Sequence, residues 1–418
     1  MKPYRSRFRL AVCYCVIFLV TVVMPAAARK KTPAKSTQSA AASSARLATD
    51  PVTRSGFERF YNMEYDKAVQ DFEKSLKAHP DDPFAANHLL SAVLFKELYR
   101  IGALDSEMYA NNSFLESKRF PIDPQARARI LELMDRSGEL CEQRLKADPD
   151  DVDALYARGV LRGLRSTYMG LVDKAWFAAL RNATGARRDH ERVLELKPDY
   201  VDAKMIVGMH NYMVGSVSWA VKVAAAIIGL TGSKSKGIQY LYAAADGGGE
   251  SSVDAKVALS LFLRREQRYD EAIKLVSSMA NAYPKNFLFA LELANLQNAA
   301  GHAPEAIAGY RRLLQAAKEG VYVDPHIEQA AYALGEALRG QRDFQGAAAA
   351  FESVGMYPRV APELQDRANL AAGEMYDVLN ERQLAVKKYE AVIAADGNSL
   401  RARVARKRLK QAYRPPKG

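Results

Sequence analysis

A small residue followed one helical turn later by an aromatic or bulky apolar residue recurs along most of the chain, and no other feature limits the fold so strongly. Tyr65-x-x-Ala68-x-x-x-Phe72, closed by Pro80, returns as Tyr269-x-x-Ala272-x-x-x-Val276, closed by Pro284. Ala306-x-x-x-Tyr310 follows 34 residues after Ala272, and Phe344-x-x-Ala347-x-x-x-Phe351 and Ala385-x-x-x-Tyr389 continue the series. Weaker second helices end at Asp148-Pro149 and Lys197-Pro198. A spacing of four puts the small and the bulky residue on one helix face, and proline stops the helix before the next begins.

The preceding helices carry a second mark. Gly56, Gly335 and Gly373 each stand twelve residues before the alanine of their unit, and Gly159 and Gly208 keep a fixed offset from the prolines before them. Glycine inside a helix costs about 1 kcal/mol relative to alanine. Five such glycines in one phase need a steric cause, and close contact between paired helices supplies it.

Together these Gly, Tyr/Phe, Ala, aromatic and Pro positions resemble the tetratricopeptide repeat, a helix-turn-helix unit of about 34 residues. The resemblance covers most of residues 51–400 and implies an all-α fold, a superhelix (α-solenoid) of about seven helix pairs. The unit near Pro83 is split by a loop around residues 101–124, the units near Val152 and Val201 are lengthened by 168–184 and 216–236 with inserted helices, and the basic segment Ser399–Tyr413 fits a capping helix with Val404, Ala405, Leu409 and Ala412 on its inner side. A narrower stretch, residues 200–265, is similar to the middle of the tetratricopeptide repeat protein 39 family, whose members include outer-membrane-associated proteins. That similarity rests on Ala226-Ile227-Ile228-Gly229-Leu230-Thr231-Gly232, Gly237-Ile238-x-x-Leu241 and Gly247-Gly248.

The two ends of the chain have a different character. Lys2, Arg5, Arg7 and Arg9 precede an apolar run from Leu10 to Met24, then Pro25 and Ala26-Ala27-Ala28. This is the layout of a secretory signal peptide over residues 1–28, with an uncleaved anchor as the competing reading. Cys13 has a bulky Val12 before it and almost no apolar run upstream, so a lipoprotein reading is rejected. Residues 29–50 are rich in Ala, Ser, Thr and Lys and predict a flexible basic linker. Loss of residues 1–28 leaves Cys141 alone, so stability must come from packing rather than an intramolecular disulfide.

The chain has 418 residues and a net charge of +12, with 49% hydrophobic residues, which excludes disorder for its bulk. The charge sits at the ends: +4 in residues 1–28, +4 in 29–50 and +8 in 401–418, leaving −4 for 51–400. This distribution argues against a nucleic-acid partner and suits solubility or an anionic envelope surface.

No catalytic constellation emerges. Gly229-Leu230-Thr231-Gly232-Ser233-Lys234-Ser235 has two residues between its glycines where a phosphate loop needs four, and is read as a helix-ending turn. His79, His88, His190, His210, His302 and His326 form no metal-ligand spacing. His190 and Cys141 both fall at the bulky position of their repeats and are read as core residues. Asp81-Asp82 and Asp150-Asp151 follow helix-stopping prolines and are read as caps of the next helices. No metal, cofactor or enzymatic activity is expected.

In the repeat family the first helix of each pair lines the inner face of the superhelix. By that phase the resemblance implies ligand-facing roles for Asn87, Tyr156, Met205, Met209, Tyr212, Asn295, Tyr332 and Arg339. The clamp for C-terminal carboxylates of chaperone-binding relatives needs a lysine four residues before Asn295, where Leu291 stands, so that function is not carried over. The expected function is a non-catalytic exported scaffold or adaptor, in the periplasm or at an outer membrane, holding a protein or peptide partner. The alternative is a membrane-associated or transport accessory protein that shelters an apolar ligand through Ser216–Leu230. In that reading the segment is a shallow docking helix with Trp219 as its membrane contact, against a buried helix in the first.

Overall fold

The computed structural model describes residues 50–104, 122–217, 231–323, 325–357 and 360–415. Residues 1–49, most of the 101–124 insertion and residues 218–230, Trp219 among them, lie outside the described residues, so the readings placed on them stand on sequence alone.

Every regular element among the described residues is an α-helix. The chain divides into two compact units, 1–265 and 266–418. Unit 1 holds α1 (Pro51–Tyr61), α2 (Tyr65–Ala78), α3 (Pro83–Arg100), α4 (Pro124–Ala147), α5 (Val152–Leu171), α6 (Trp176–Leu196), α7 (Ala203–Ser216), α8 (Lys234–Asp246) and α9 (Ser252–Arg265). Unit 2 holds α10 (Tyr269–Ala282), α11 (Phe287–Ala299), α12 (Ala303–Lys318), α13 (Ile327–Gly340), α14 (Phe344–Val354), α15 (Pro362–Val378), α16 (Arg382–Ala395) and α17 (Leu400–Lys410). Within each unit a helix packs on its successor, and first helices of neighbouring pairs also touch, as α3 does α5 and α13 does α15. This serial packing of helix pairs is the tetratricopeptide-type arrangement that the recurrence predicts.

The glycines show why the pairs form. A Cβ on Gly56 would lie 2.6 Å from the Phe72 ring, on Gly335 2.5 Å from Phe351, and on Gly373 2.7 Å from Tyr389. In the α5/α6 pair the same role falls to His190, 2.3 Å from a Cβ on Gly159. The bulky residue of the second helix thus drops into a notch that only glycine leaves open, and the alanine four residues earlier lets the backbones close. Ala68, Ala347 and Ala385 are fully buried, as are Ser137 and Cys141, which take the two roles on α4. In the α7/α8 pair the backbones themselves meet. A Cβ on Gly237 would stand 2.5 Å from the Tyr212 amide nitrogen, and one on Gly215 2.4 Å from that of Lys234.

Helix starts follow the expected chemistry. Asp82 accepts from the Phe84 amide (2.9 Å) and Asp151 from that of Ala154 (3.0 Å), each capping the helix after a proline. Residues 168–184 lengthen α5 and α6 around a short turn, because Tyr168, Val172 and Ala179 continue the buried face. Ser233 caps α8 by accepting from the Lys236 amide; residues 218–230, where the helix expected to end at this turn would lie, are outside the described residues.

The capping helix α17 buries Ala402 and Ala405, while Ala412 is exposed beyond its last turn. Asp377 anchors it. Its carboxylate accepts from Arg382 (2.7 Å), the Tyr389 hydroxyl (2.8 Å) and the Tyr413 amide (2.7 Å), and Arg382 also donates to the carbonyls of Arg408 and Leu409. Those two carbonyls lie in the last turn of α17 and would otherwise lack helical donors.

Two glycines one turn apart on α5 separate packing from propensity. Gly163 meets only Ile206, at an ordinary 3.8 Å. Gly163→Ala is expected to stabilise unit 1 by roughly 0.5–1 kcal/mol through helix propensity, whereas Gly159→Ala drives a methyl into the His190 ring and destabilises by about 1–3 kcal/mol. Denaturant titration followed by tryptophan fluorescence checks both, since Trp176 and Trp219 belong to unit 1.

Candidate functional site

The eight ligand-facing candidates divide by unit. In unit 1, Asn87 is buried, donates to the Ala157 carbonyl (2.8 Å) and accepts from the Ser137 hydroxyl (2.7 Å). Tyr156 is buried between Phe84, His190 and Tyr200, whose ring centroids lie 5.8, 5.1 and 4.9 Å away. Tyr212 stacks on Phe262 at 3.8 Å and is 1% exposed. Met205 and Met209 are half-buried on α7. For Asn87, Tyr156 and Tyr212 the expectation of a ligand-facing side chain is therefore corrected: each is enclosed by other helices of the same unit.

The turn after α8 adds a further contact within unit 1. Glu250 reaches His88 on α3 (Oε2 to Nε2, 3.1 Å) across 162 residues of sequence, and Ser251 donates to Asp202 from its amide (3.0 Å) and its hydroxyl (2.7 Å). A Cβ on Gly249 would stand 2.2 Å from the Asp202 carboxylate, and Gly248 has φ +70°, so only glycines let the turn sit this close. The Asp254 carboxylate at the start of α9 accepts a hydrogen bond from Tyr61 on α1. The chain's own turn thus lies against His88 of α3 and against Asp202 at the start of α7.

The other sequence candidates in this unit are core residues. His190 is 1% exposed, its Nδ1 is 2.8 Å from the Ala186 carbonyl, and burial lowers its pKa to about 4. Asp189 is clamped by Arg158 (2.7 Å) and Arg162 (2.6 Å). Cys141 is fully buried, and burial pushes its thiol up to about 11, which removes the thiolate needed for chemistry. Burial also lowers His210 to about 4, with Arg187 beside it adding to the effect. Among the described residues no cluster of three His, Cys, Asp or Glu side chains could hold a metal ion.

Unit 2 differs. Asn295 is buried and accepts from the Tyr310 hydroxyl (2.7 Å), so it too is a packing residue and not ligand-facing. Tyr332 and Arg339, however, open onto a concavity of about 250 Å³. Tyr332, Glu336 and Arg339 lie on one face of α13, and Arg367, Leu370, Ala371 and Glu374 on one face of α15, with Arg401 of α17 closing the end. The Arg367 guanidinium sits over the Tyr332 ring at 4.5 Å, a cation–π contact. Arg339 pairs with Glu336 and lies 4.0 Å from Glu374, which Arg408 holds at 3.0 Å. Burial raises the Glu374 carboxyl against the opposing pull of Arg408 and Arg339. Arg367 and Arg401 were missed by the sequence reading, although Arg367 precedes Gly373 by the same six residues that place Gln329 before Gly335.

No protein-family model matches the chain, and no curated relative matches it. Residues 200–265 therefore gain no support for the narrower similarity to the tetratricopeptide repeat protein 39 family. Among solved structures, the Cut9–Hcn1 hetero-tetramer of the APC/C aligns with 87% of this chain at 13% identity and TM-score 0.46, and the chain spans only 56% of that protein. Yeast Tom70 aligns over 87% of this chain and 89% of its own, at 13% identity and TM-score 0.38. PilW, titled a widely conserved type IV pilus biogenesis factor, aligns over 62% and 96%, at 14% and 0.39. The fold rests on the helix pairs themselves, not on these likenesses.

His190 gives unit 1 a pH signature. It is neutral in the folded chain down to about pH 4, while the unfolded imidazole protonates near 6.5. Its contribution is therefore fully present above pH 6.5 and is lost as pH falls towards 4, by on the order of 2–3 kcal/mol. His190→Phe, which installs the side chain used at Phe72 and Phe351, is expected to flatten the fall of unit 1 stability between pH 7 and 4.5 in fluorescence-monitored unfolding. A slope unchanged from wild type would refute the assignment.

Proposed function

We propose that the protein is a non-catalytic scaffold or adaptor that holds a protein or peptide partner against the first helices of unit 2. The observation that carries this reading is the concavity of Tyr332, Arg339, Arg367, Leu370 and Glu374, contributed by matching faces of α13 and α15. An aromatic ring, guanidinium groups and an apolar floor are the side chains that anchor protein interfaces, and helix-pair arrays offer extended surfaces of this kind. In unit 1 Asn87, Tyr156 and Tyr212 are enclosed by neighbouring helices, which favours unit 2 for the binding role.

The proposal includes export to a cell envelope, periplasmic or at an outer membrane, because the first 28 residues combine a basic start, an apolar run and small residues before a basic linker. The alternative role through residues 216–230 rests on sequence. Among the described residues no helix is long and apolar enough to cross a membrane.

A photo-crosslinking residue at Leu370, introduced in the native host, tests the reading. The expected outcome is one dominant protein adduct, lost on Tyr332→Ala with Arg339→Ala. The same probe at Leu384, exposed on the second helix of its pair, is expected to give none. Equal labelling from both positions contradicts the assignment. Amino-terminal sequencing of the envelope-extracted chain checks export, with a start near Arg29 expected and an intact Met1 contrary to cleavage.

A further inference from the structure

Charge is segregated at the end of unit 2. Residues 266–400 carry eighteen acids against thirteen Lys and Arg, whereas residues 401–418 carry eight Lys and Arg and no acid. The start of α17 and its inner side are matched. Arg401 pairs with Glu363 at 2.7 Å and Arg408 with Glu374 at 3.0 Å. Asp366 feels the charges of Arg401, Asp396 and Glu363. Arg403, Arg406, Lys407 and Lys410 differ. All four are exposed, and among the described residues none has a carboxylate within ion-pair distance. Spaced i, i+3, i+4 and i+7, they share one helix face. Ala402 and Ala405, buried against the array, take the opposite side. Leu400, 67% exposed, opens the cationic face three residues before Arg403. Arg403 with Lys407 and Arg406 with Lys410 are like-charge pairs one turn apart, which destabilise a helix that meets only water.

We propose that this face docks the end of unit 2 onto a membrane of anionic phospholipid. The four cations lie over the lipid phosphates, and Leu400 enters the boundary beneath the headgroups. None of these five side chains lines the concavity, so the docking surface stands apart from the partner-binding role. A lipid plane fits better than a nucleic acid. Sites for nucleic-acid strands pair a groove that tracks the backbone with aromatic rings on which bases stack. This face is the outside of a single helix without an aromatic side chain. An exposed leucine gains nothing from a phosphate backbone but finds apolar surroundings below lipid headgroups. Charge also sets the orientation, since an anionic plane attracts α17 and repels the acidic remainder of the unit.

Vesicle flotation of the chain purified from its host tests the proposal. Phosphatidylcholine vesicles are compared with the same lipid containing about 30% phosphatidylglycerol. Binding to the neutral vesicles is the reference, so any contribution of the apolar run Leu10–Met24 cancels. Each Lys or Arg near an anionic surface strengthens binding about fivefold, so a preference of at least about tenfold for the anionic vesicles is expected. It is expected to vanish at about 0.5 M salt. Changing Arg403, Arg406, Lys407 and Lys410 together to Gln is expected to abolish the preference, and Leu400→Ser to lower it. Arg403→Lys with Arg406→Lys is expected to keep it, because headgroup attraction needs the charge rather than the guanidinium fork. Removing four other exposed cations of unit 2, by changing Lys274, Arg311, Arg312 and Lys318 to Gln, is expected to leave it intact. Circular dichroism confirms that each variant is folded. No preference for anionic vesicles, a preference that survives the fourfold change in α17, or one lost equally in the control overturns the proposal. Complete displacement from the vesicles by duplex DNA at equal phosphate concentration overturns it in favour of a nucleic-acid partner.

Discussion

A bulky ring held in a notch that only glycine leaves open is the contact on which the rest of the structure depends. It brings Phe72 onto Gly56, His190 onto Gly159, Phe351 onto Gly335 and Tyr389 onto Gly373. Each instance ties a second helix to its first at one height, and the buried alanine a turn earlier fixes the approach. The helix penalty at each glycine is offset by close packing of a large ring, where most of the dispersion and apolar burial of a pair is gathered. Where the ring is absent, in the α7/α8 pair, glycines on both helices replace it with direct backbone contact. On α4 the small and bulky roles fall to Ser137 and Cys141, with no ring at all.

This pairing orients every first helix alike and so presents a comparable face from each pair. What happens to the face then depends on the surroundings. In unit 1 the Gly247–Ser251 turn brings Glu250 to His88 and Ser251 to Asp202, and aromatic rings close over Tyr156. In unit 2 the matching faces of α13 and α15 stay open and are lined by charge. Asp377 meanwhile holds α17 at the end of the array, which places Arg401 at the rim of the concavity.

Helix type, pairing and order were legible because small and bulky residues in one phase leave an antiparallel pair as the economical arrangement. His190 and Cys141 were legible as core for the same reason. The site was less so. Helical phase says which face a side chain shares, not whether another part of the chain covers it. Asn87 was assigned to a ligand on phase alone, yet its amide serves a carbonyl seventy residues away, a contact that no local pattern records. Tyr332 and Arg339, by contrast, line an open concavity. Arg367 was within reach, since the phase that selects Tyr332 on α13 selects Leu370 and its neighbours on α15. The extra length at 168–184 was legible as a longer unit, and buried Tyr168 and Ala179 carry both helices through it.

The central claim is that unit 2 receives the partner while unit 1 keeps its inner helices for itself. Hydrogen–deuterium exchange of the full chain, with and without the protein captured through Leu370, tests this most directly. The account predicts slowed exchange in residues 327–340 and 362–378 on binding, with residues 83–100 and 152–171 unchanged. Protection confined to the first helices of unit 1, or spread evenly over both units, would contradict it.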